Sequence, residues 1–340
     1  MKLLSGLEDR GAIMDVINIK DLNKEFKISE KKTFRDYFKI KTNKKTIKSV
    51  NSISLKVKKG ETVGLIGLNG AGKSTLIKMM TGILAQTSGE IEVLGNNPFE
   101  DRIINNRKIS TVFGQRCKLR WDVSPMESFF LIKDMYGVSK DDFEDRINYL
   151  SSILGLSEFI NNPVRTLSLG QRMRAELASA FLYEPEIIFL DEPTIGLDII
   201  TKDSIYNFLD SIKNKTTIIL TTHDFDDIEK ICDRVVVLHK GRIIHDSPTN
   251  NISNIYDTKM LEVVFKYNIK SIENKLDFKD YKYYIEGNTI KIDLDKNVNK
   301  SELIKEIYLK YEDLVDYVQI TKISFKDSLK YFLNEQLVGE

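Results

Sequence analysis

The stretch GLNGAGKST, Gly67 to Thr75, sets glycines at 67, 70 and 72 ahead of a lysine and two hydroxyl residues. This is the Gly-x-x-x-x-Gly-Lys-Ser spacing of a phosphate-binding loop. Flexible glycines allow the backbone N–H groups of Gly67, Leu68, Asn69, Gly70, Ala71 and Gly72 to converge on an anion, and the helix that follows presents its positive end. Lys73 is then placed to bridge the β and γ phosphates of a nucleotide, Ser74 to reach Mg²⁺, and Thr75 to support the loop. A second group sits in IIFLDEP, where a hydrophobic run ends in Asp191 and Glu192. Neighbouring carboxylates repel unless a cation or a shared task keeps them together. Asp191 suits a Mg²⁺ shell, and Glu192 suits orienting and polarising an attacking water.

These groups need rigid elements to hold them. ETVGLIGLNGAGKSTLIKMMTGI reads as a buried strand, Thr62 to Ile66, then the glycine loop, then a helix with Leu76, Ile77, Met80 and Ile83 at apolar positions. EIIFLDEP and TTIILTTH are further short runs without alternation, the pattern of central strands in a mostly parallel sheet covered on both faces. DIITKDSIYNFLDSIKNK between them has helical spacing at Ile205, Phe208, Leu209 and Ile212. The core is therefore α/β. From about 115 to 168 the pattern turns helical: SPMESFFLIKDMYG carries Ser124 as a cap, Pro125 in the first turn, Glu127 three residues on and Gly137 as a stop. Phe143, Ile147, Leu150 and Leu154 then mark one face of a second helix. Beyond about 250 the order is strand, short helix, two strands joined at Gly287-Asn288, helix, strand and a last helix, FKDSLKYFL. That βαββαβ order predicts a small ferredoxin-like α+β domain over 251–340.

Composition narrows the class. With 340 residues, 41% hydrophobic and 30% charged, the chain suits about two folded domains. Its 51 basic and 50 acidic residues leave a net charge of +1, so no global field draws it to nucleic acid or anionic lipid. Two cysteines, Cys117 and Cys232, make neither a disulfide framework nor a metal cluster and read as packing residues in a reducing compartment. No run reaches the roughly 18 apolar residues of a membrane span. Residues 1–13 lack the apolar core of a secretory signal, and Met14 opens the more structure-like MDVINIKDL. The first 13 residues are thus expected to be a disordered leader or an over-extended start, and the chain is expected in the cytoplasm.

Further motifs follow in order. LSLGQR, Leu167 to Arg172, lies about twenty residues before LDEP and opens a helix; FGQ ends at Gln115, TIGLD ends at Asp198 and TTHD contains His223. Together with the glycine loop this set resembles the ATP-binding subunits of ATP-binding cassette (ABC) transporters, over about residues 14–250. The resemblance implies a P-loop NTPase core with an inserted helical subdomain, ATP and Mg²⁺ as ligands, and ATP hydrolysis as the activity. It implies that Gln115 senses Mg²⁺ and water and links the site to a membrane partner. His223 would contact the γ-phosphate, and Ser168, Gly170 and Gln171 would cap the γ-phosphate of ATP on a second subunit. Asp198 would lie at the interface of that pair.

Two departures stand out. Leu169 occupies a position where the family commonly has glycine. The aromatic that stacks on adenine normally lies about two dozen residues before the glycine loop, where this chain has NKK; LNKEFK makes Phe26 the candidate, displaced by an insertion over about 27–48. That insertion is basic with interleaved aromatics, including Lys31, Lys32, Arg35, Lys39, Lys41, Lys44 and Lys45 beside Phe34, Tyr37 and Phe38. It reads either as a solvated hairpin or as a contact with anionic headgroups or a permease. VFGQRCKLRWDVSPMES is similar to ABC-2-type export ATPases related to drug and antibiotic exporters. The resemblance thus implies an ATPase homodimer driving a separate transmembrane permease from the cytoplasmic face, with no specific nucleic-acid partner. An importer ATPase, a soluble ABC protein acting on ribosomes or DNA, and a small-molecule kinase are the rival readings.

Overall fold

The computed structural model describes residues 14–29, 44–114, 117–255, 259–272, 276–278, 281, 283–294, 299–322 and 327–329. The expected leader 1–13, residues 30–43 of the basic insertion and most of the last helix lie outside the described residues. The chain divides into two units, Met1–Thr249 and Asn250–Glu340.

The first unit opens with a long hairpin, β1 (Asp15–Ser29) and β2 (Lys44–Lys58). With β4 (Ser88–Val93) these strands form an antiparallel sheet in the order β2-β1-β4. The hairpin runs into both ends of the region expected to be an insertion, pairing Ser29 with Lys44. Lysine is a poor strand former, but cross-strand pairing overrides that preference. Glu25 faces Lys48 with their charges 3.3 Å apart.

The main sheet has six strands. β3 (Thr62–Ile66), β5 (Ile109–Phe113), β6 (Ile187–Asp191), β7 (Thr217–Thr221), β8 (Arg234–His239) and β9 (Arg242–Pro248) take the order β5-β6-β7-β3-β8-β9. All neighbours are parallel except β8 and β9. β3 and β7 are buried at every position, as their short runs without polar alternation require. Each fully buried Ile, Leu or Val contributes about 1.5–3 kcal/mol to this core. Register aligns the strand ends: Leu65 and Asp191 both pair with Thr221, and Phe113 pairs with Asp191. The loops leaving β3, β5, β6 and β7 therefore emerge along one edge.

Helices α1 (Lys73–Met80), α2 (Arg102–Asn105), α3 (Pro125–Tyr136), α4 (Lys140–Leu154), α5 (Leu169–Phe181), α6 (Ile199–Ile212) and α7 (Phe225–Ile231) fill the connections. α3 begins with a complete capping box between Ser124 and Glu127 and ends at Gly137 with φ 69°. Phe130 of α3 meets Phe143 of α4 with ring centroids 5.2 Å apart.

The second unit begins within α8 (Thr249–Ile255) and contains β10 (Lys259–Phe265), α9 (Ile269–Ile272), β11 (Tyr283–Glu286), β12 (Thr289–Leu294), α10 (Lys300–Tyr311) and β13 (Val315–Lys322). Its strands form an antiparallel sheet in the order β11-β12-β10-β13, which is the βαββαβ ferredoxin-like topology. Leu303, Ile307 and Tyr311, four residues apart on α10, pack with Leu261, Val263 and Phe265 of β10 in one apolar cluster.

Candidate functional site

Three sets of residues make up the candidate site, and two of them meet at the common edge of the parallel strands. The first is the glycine loop. Gly72 precedes α1 with φ 106°, and a Cβ there would lie 2.5 Å from the Ser49 carbonyl oxygen, so only glycine fits. No side chain caps α1, which leaves its first-turn N–H groups available to an anion. Lys73 Nζ curls back to donate to the carbonyls of Gly67 (2.5 Å) and Leu68 (3.3 Å). Burial pushes its pKa down, while Glu192 and Asp191 act in the opposite direction. Thr75 Oγ1 and Ser49 Oγ share a 2.8 Å hydrogen bond that ties α1 to β2. Ala71 is buried, whereas Asn69 and Gly70 are exposed at the loop tip.

The second set closes the strands. Asp191, the last residue of β6, accepts from Ser74 Oγ at 3.4 Å and from the Thr221 hydroxyl. Glu192 adopts φ 55°, a left-handed conformation that costs a side-chain-bearing residue about 1–3 kcal/mol. Two contacts hold it there. Its N–H donates to Thr221 O at 2.9 Å, and its own carbonyl abuts Gly114, where a Cβ would come within 2.3 Å. His223 Nδ1 lies 3.3 Å from Glu192 Oε1; the histidine is 59% exposed and the glutamate 22%. Gln115 lies outside the described residues.

The third set is the signature. Ser168 Oγ accepts from Gln171 N (3.2 Å), and Gln171 Oε1 accepts from Ser168 N (2.9 Å), a capping box that opens α5. Gly170 sits against Thr201, where a Cβ would meet Oγ1 at 2.9 Å. Thr201 in turn donates through N and Oγ1 to Asp198, the cap of α6, at 2.9 and 2.8 Å. These hydrogen bonds hold the Asp198 carboxyl below its usual range. The signature and the Asp198 segment are thus one cluster. Among the described residues, no hydrogen bond or ion pair joins that cluster to the glycine loop.

Phe26 lies opposite Ile47 on the β1–β2 hairpin, 38% exposed, with Lys24 Nζ 5.4 Å from its ring centre. Two residues beyond Ile47, Ser49 touches the glycine loop. Cys232 is buried as expected, but Cys117 is exposed, which corrects the packing assignment.

Sequence reasoning missed Asp227. It is fully buried and accepts from Thr194 Oγ1 (2.6 Å), Thr222 Oγ1 (2.5 Å) and Tyr206 OH (2.6 Å). Thr194 lies two residues after Glu192, and Thr222 immediately precedes His223. One carboxylate therefore fixes both loops. The acid-rich run Asp224, Asp226, Asp227 after His223 was the available signal, and it reads equally as an ordinary helix start.

The ABC transporter family model matches residues 50–195. The ABC transporter ATP-binding protein NatA of Bacillus subtilis (strain 168) is 30% identical over 223 residues, covering 65% of this chain and 91% of that protein. The chain belongs to the ABC transporter ATP-binding proteins. The ABC ATPase is also 32% identical over 284 residues to the methionine import ATP-binding protein MetN 2 of Bacillus licheniformis, covering 80% of this chain and 82% of the relative. It is 28% identical over 298 residues to the bacitracin transport ATP-binding protein BcrA of Bacillus licheniformis, covering 86% and 93%. A solved ATP-binding subunit of an ABC transporter aligns with a TM-score of 0.59 at 26% identity, over 71% of this chain and 93% of that one. The ABC ATPase binds and hydrolyses ATP. No described helix is long and apolar enough to cross a membrane.

Proposed function

We propose that the ABC ATPase powers an ABC-2-type exporter from the cytoplasmic face by closing and reopening a head-to-tail homodimer around two ATP. The observation that supports this reading is that its two helix starts suited to an anion, the uncapped α1 start and the Ser168 start of α5, share no hydrogen bond or ion pair among the described residues. In this reading each copy supplies half of two composite sites. The γ-phosphate is the charge both helix ends need. Hydrolysis removes it and frees the pair.

Each residue has a task in this reading. Gly67 to Gly72 and Lys73 hold the phosphates, and Phe26 stacks on adenine beside Ile47. Glu192 orients the attacking water and draws off its proton, while His223, within reach of Glu192, contacts the γ-phosphate. Ser168, Gly170 and Gln171 close over the partner's γ-phosphate, with Asp198 at the seam. Ser74 and Asp191 are hard oxygen donors turned toward one another at 3.4 Å, a set that fits Mg²⁺, which takes few protein oxygens beside phosphate and water. Bound there, the ion would neutralise charge on the phosphates. Gln115 would be the link to the permease.

Support for export comes from VFGQRCKLRWDVSPMES and from the bacitracin transport relative, whose match covers 86% of this chain. The methionine import relative keeps an importer as the second reading. Purified Glu192→Gln chain should bind ATP, form a stable dimer with Mg-ATP and turn over at least about 100-fold slower. Normal hydrolysis by that variant would refute the assignment. Direction is read by reconstituting the ATPase with its permease in vesicles and following which way a labelled substrate moves.

A further inference from the structure

The segment after Gln115 carries a set of contacts that neither ATP binding nor hydrolysis has yet used. Lys118 N–H donates to Glu176 Oε1 at 2.9 Å. Lys118 Nζ reaches back to the carbonyl and hydroxyl of Thr111 on β5, both at 2.5 Å. Three residues on, the exposed ring of Trp121 lies under the Arg172 guanidinium, 5.3 Å from its centre. The same backbone then pairs with the stretch leading into the signature: Arg165 N donates to Trp121 O and Val164 N to Val123 O, each at 3.0 Å. Residues 117–123 are thus fastened to β5, to the side of α5 and to the chain just before Ser168.

Glu176 is the costly part of this arrangement. It sits only 5% exposed among Ala175, Leu177 and Ala178 in the middle of α5. Burial pushes its pKa up, and the Lys118 hydrogen bond with the charges of Lys118 and Arg172 offsets only part of that. An alanine would fill a helix interior more cheaply. Arg172 and Glu176 are four residues apart, so they share one face of α5 and grip two points of one segment. Ser168 lies eight residues before Glu176, about 12 Å along a rigid helix.

We propose that Glu176, with Arg172 and Trp121, forms a strap of positioning residues that makes residues 117–123 and the Ser168 end of α5 move as one body. This inference rests on the two-copy reading above, in which Ser168 acts on the partner's nucleotide. Through the strap, displacement of the segment following Gln115 turns the signature toward or away from the other copy. The strap lies outside the residues assigned to the nucleotide and the attacking water, so its loss changes pairing and turnover without changing how the glycine loop binds ATP.

The test uses the full-length chain. Glu176→Ala should lower turnover about tenfold while its Kd for ATP stays within twofold, and added to Glu192→Gln it should raise the Mg-ATP concentration needed for pairing about tenfold. Glu176→Gln keeps an oxygen for the Lys118 N–H and should stay within threefold of the parent on both readings. Trp121→Ala removes a half-exposed ring, so the core stays intact, and it should show the same split between turnover and Kd. Combined with Glu176→Ala it should add little, because both break one strap. A packing role alone would lower Tm and leave turnover per folded molecule and pairing unchanged, which would overturn the proposal, as would full additivity of the two substitutions. A Glu192→Gln chain that never pairs would instead sink the two-copy reading, leaving the turnover and Kd comparison to judge the strap.

Discussion

The two units treat a buried lysine in opposite ways. In the first, Lys73 is held by the carbonyls of Gly67 and Leu68, and burial outweighs Glu192 and Asp191 in keeping its pKa low. In the second, Lys291 is also partly buried, but Asp327 at 2.9 Å and Glu286 at 3.0 Å outweigh burial and hold its pKa high. Glu262 stands 3.7 Å away on the neighbouring strand. A lysine ringed by carboxylates has its charge matched inside the fold, whereas one held by neutral carbonyls keeps its field for an incoming anion. Sheet topology sets this contrast. Parallel strands bring several loops to one edge, where Lys73, Asp191, Glu192 and His223 meet. Antiparallel neighbours point their ends in opposite directions and leave Lys291 paired across the face of the sheet.

The comparison breaks most easily at the two lysines. Lys73→Ala should weaken ATP binding roughly 100-fold in isothermal titration, in keeping with the loss of hydrogen bonds to a charged group. Lys291→Ala should leave ATP affinity within twofold. Equal losses would mean that the second unit contributes to the nucleotide site. The next effect is expected at Asp227, the carboxylate that joins the loops leaving β6 and β7. Asp227→Ala strands the hydroxyls of Thr194, Thr222 and Tyr206 in a dry interior and should cost about 3 kcal/mol in chemical denaturation. Tyr206→Phe removes one donor and should cost about 1 kcal/mol.

What could be read from the sequence was local. β3 spans Thr62–Ile66 as its apolar run indicated, the Ser124–Glu127 box forms, and Gly137 closes α3. These signals lie within a few residues of the structure they specify. The candidate motifs were legible for the same reason: a glycine loop or a strand ending in two acids is a short, contiguous object. The Asp227 hub was not, since it is assembled from Thr194, Tyr206 and Thr222 on separate elements. Nor was the Glu176 contact with Lys118, across 58 residues. Cys117 was misassigned because cysteine is usually buried, and only the tertiary structure shows it exposed. The strands of β1 and β2 reach further than composition indicated because pairing, not propensity, extends them.

The Lys291 cluster offers a smaller test of the same contrast. Lys291→Met keeps the length of the side chain but leaves Glu262, Glu286 and Asp327 without their shared cation. It should destabilise the second unit by about 1–3 kcal/mol, while ATP turnover per folded molecule stays within twofold. A fall in turnover would show that the second unit acts on the catalytic cycle.

An effect as small as that of Tyr206→Phe belongs to the cap of α3. Ser124 Oγ accepts from Glu127 N at 3.3 Å, and the Glu127 carboxylate accepts from Ser124 N and Oγ, each at 2.8 Å. Ser124→Ala should cost about 1 kcal/mol, the usual value of a serine cap. These hydrogen bonds also hold the Glu127 pKa below its ordinary 4.5, so the bonded carboxylate stabilises the fold above that pH. As pH falls through the lower folded value, Glu127 takes up a proton and the contribution disappears. Stability of the parent chain should therefore drop more between pH 5 and pH 3 than that of Ser124→Ala, and the two denaturation midpoints should draw together at the acid end. Parallel curves would mean that the serine hydroxyl, without the Glu127 charge, makes the cap.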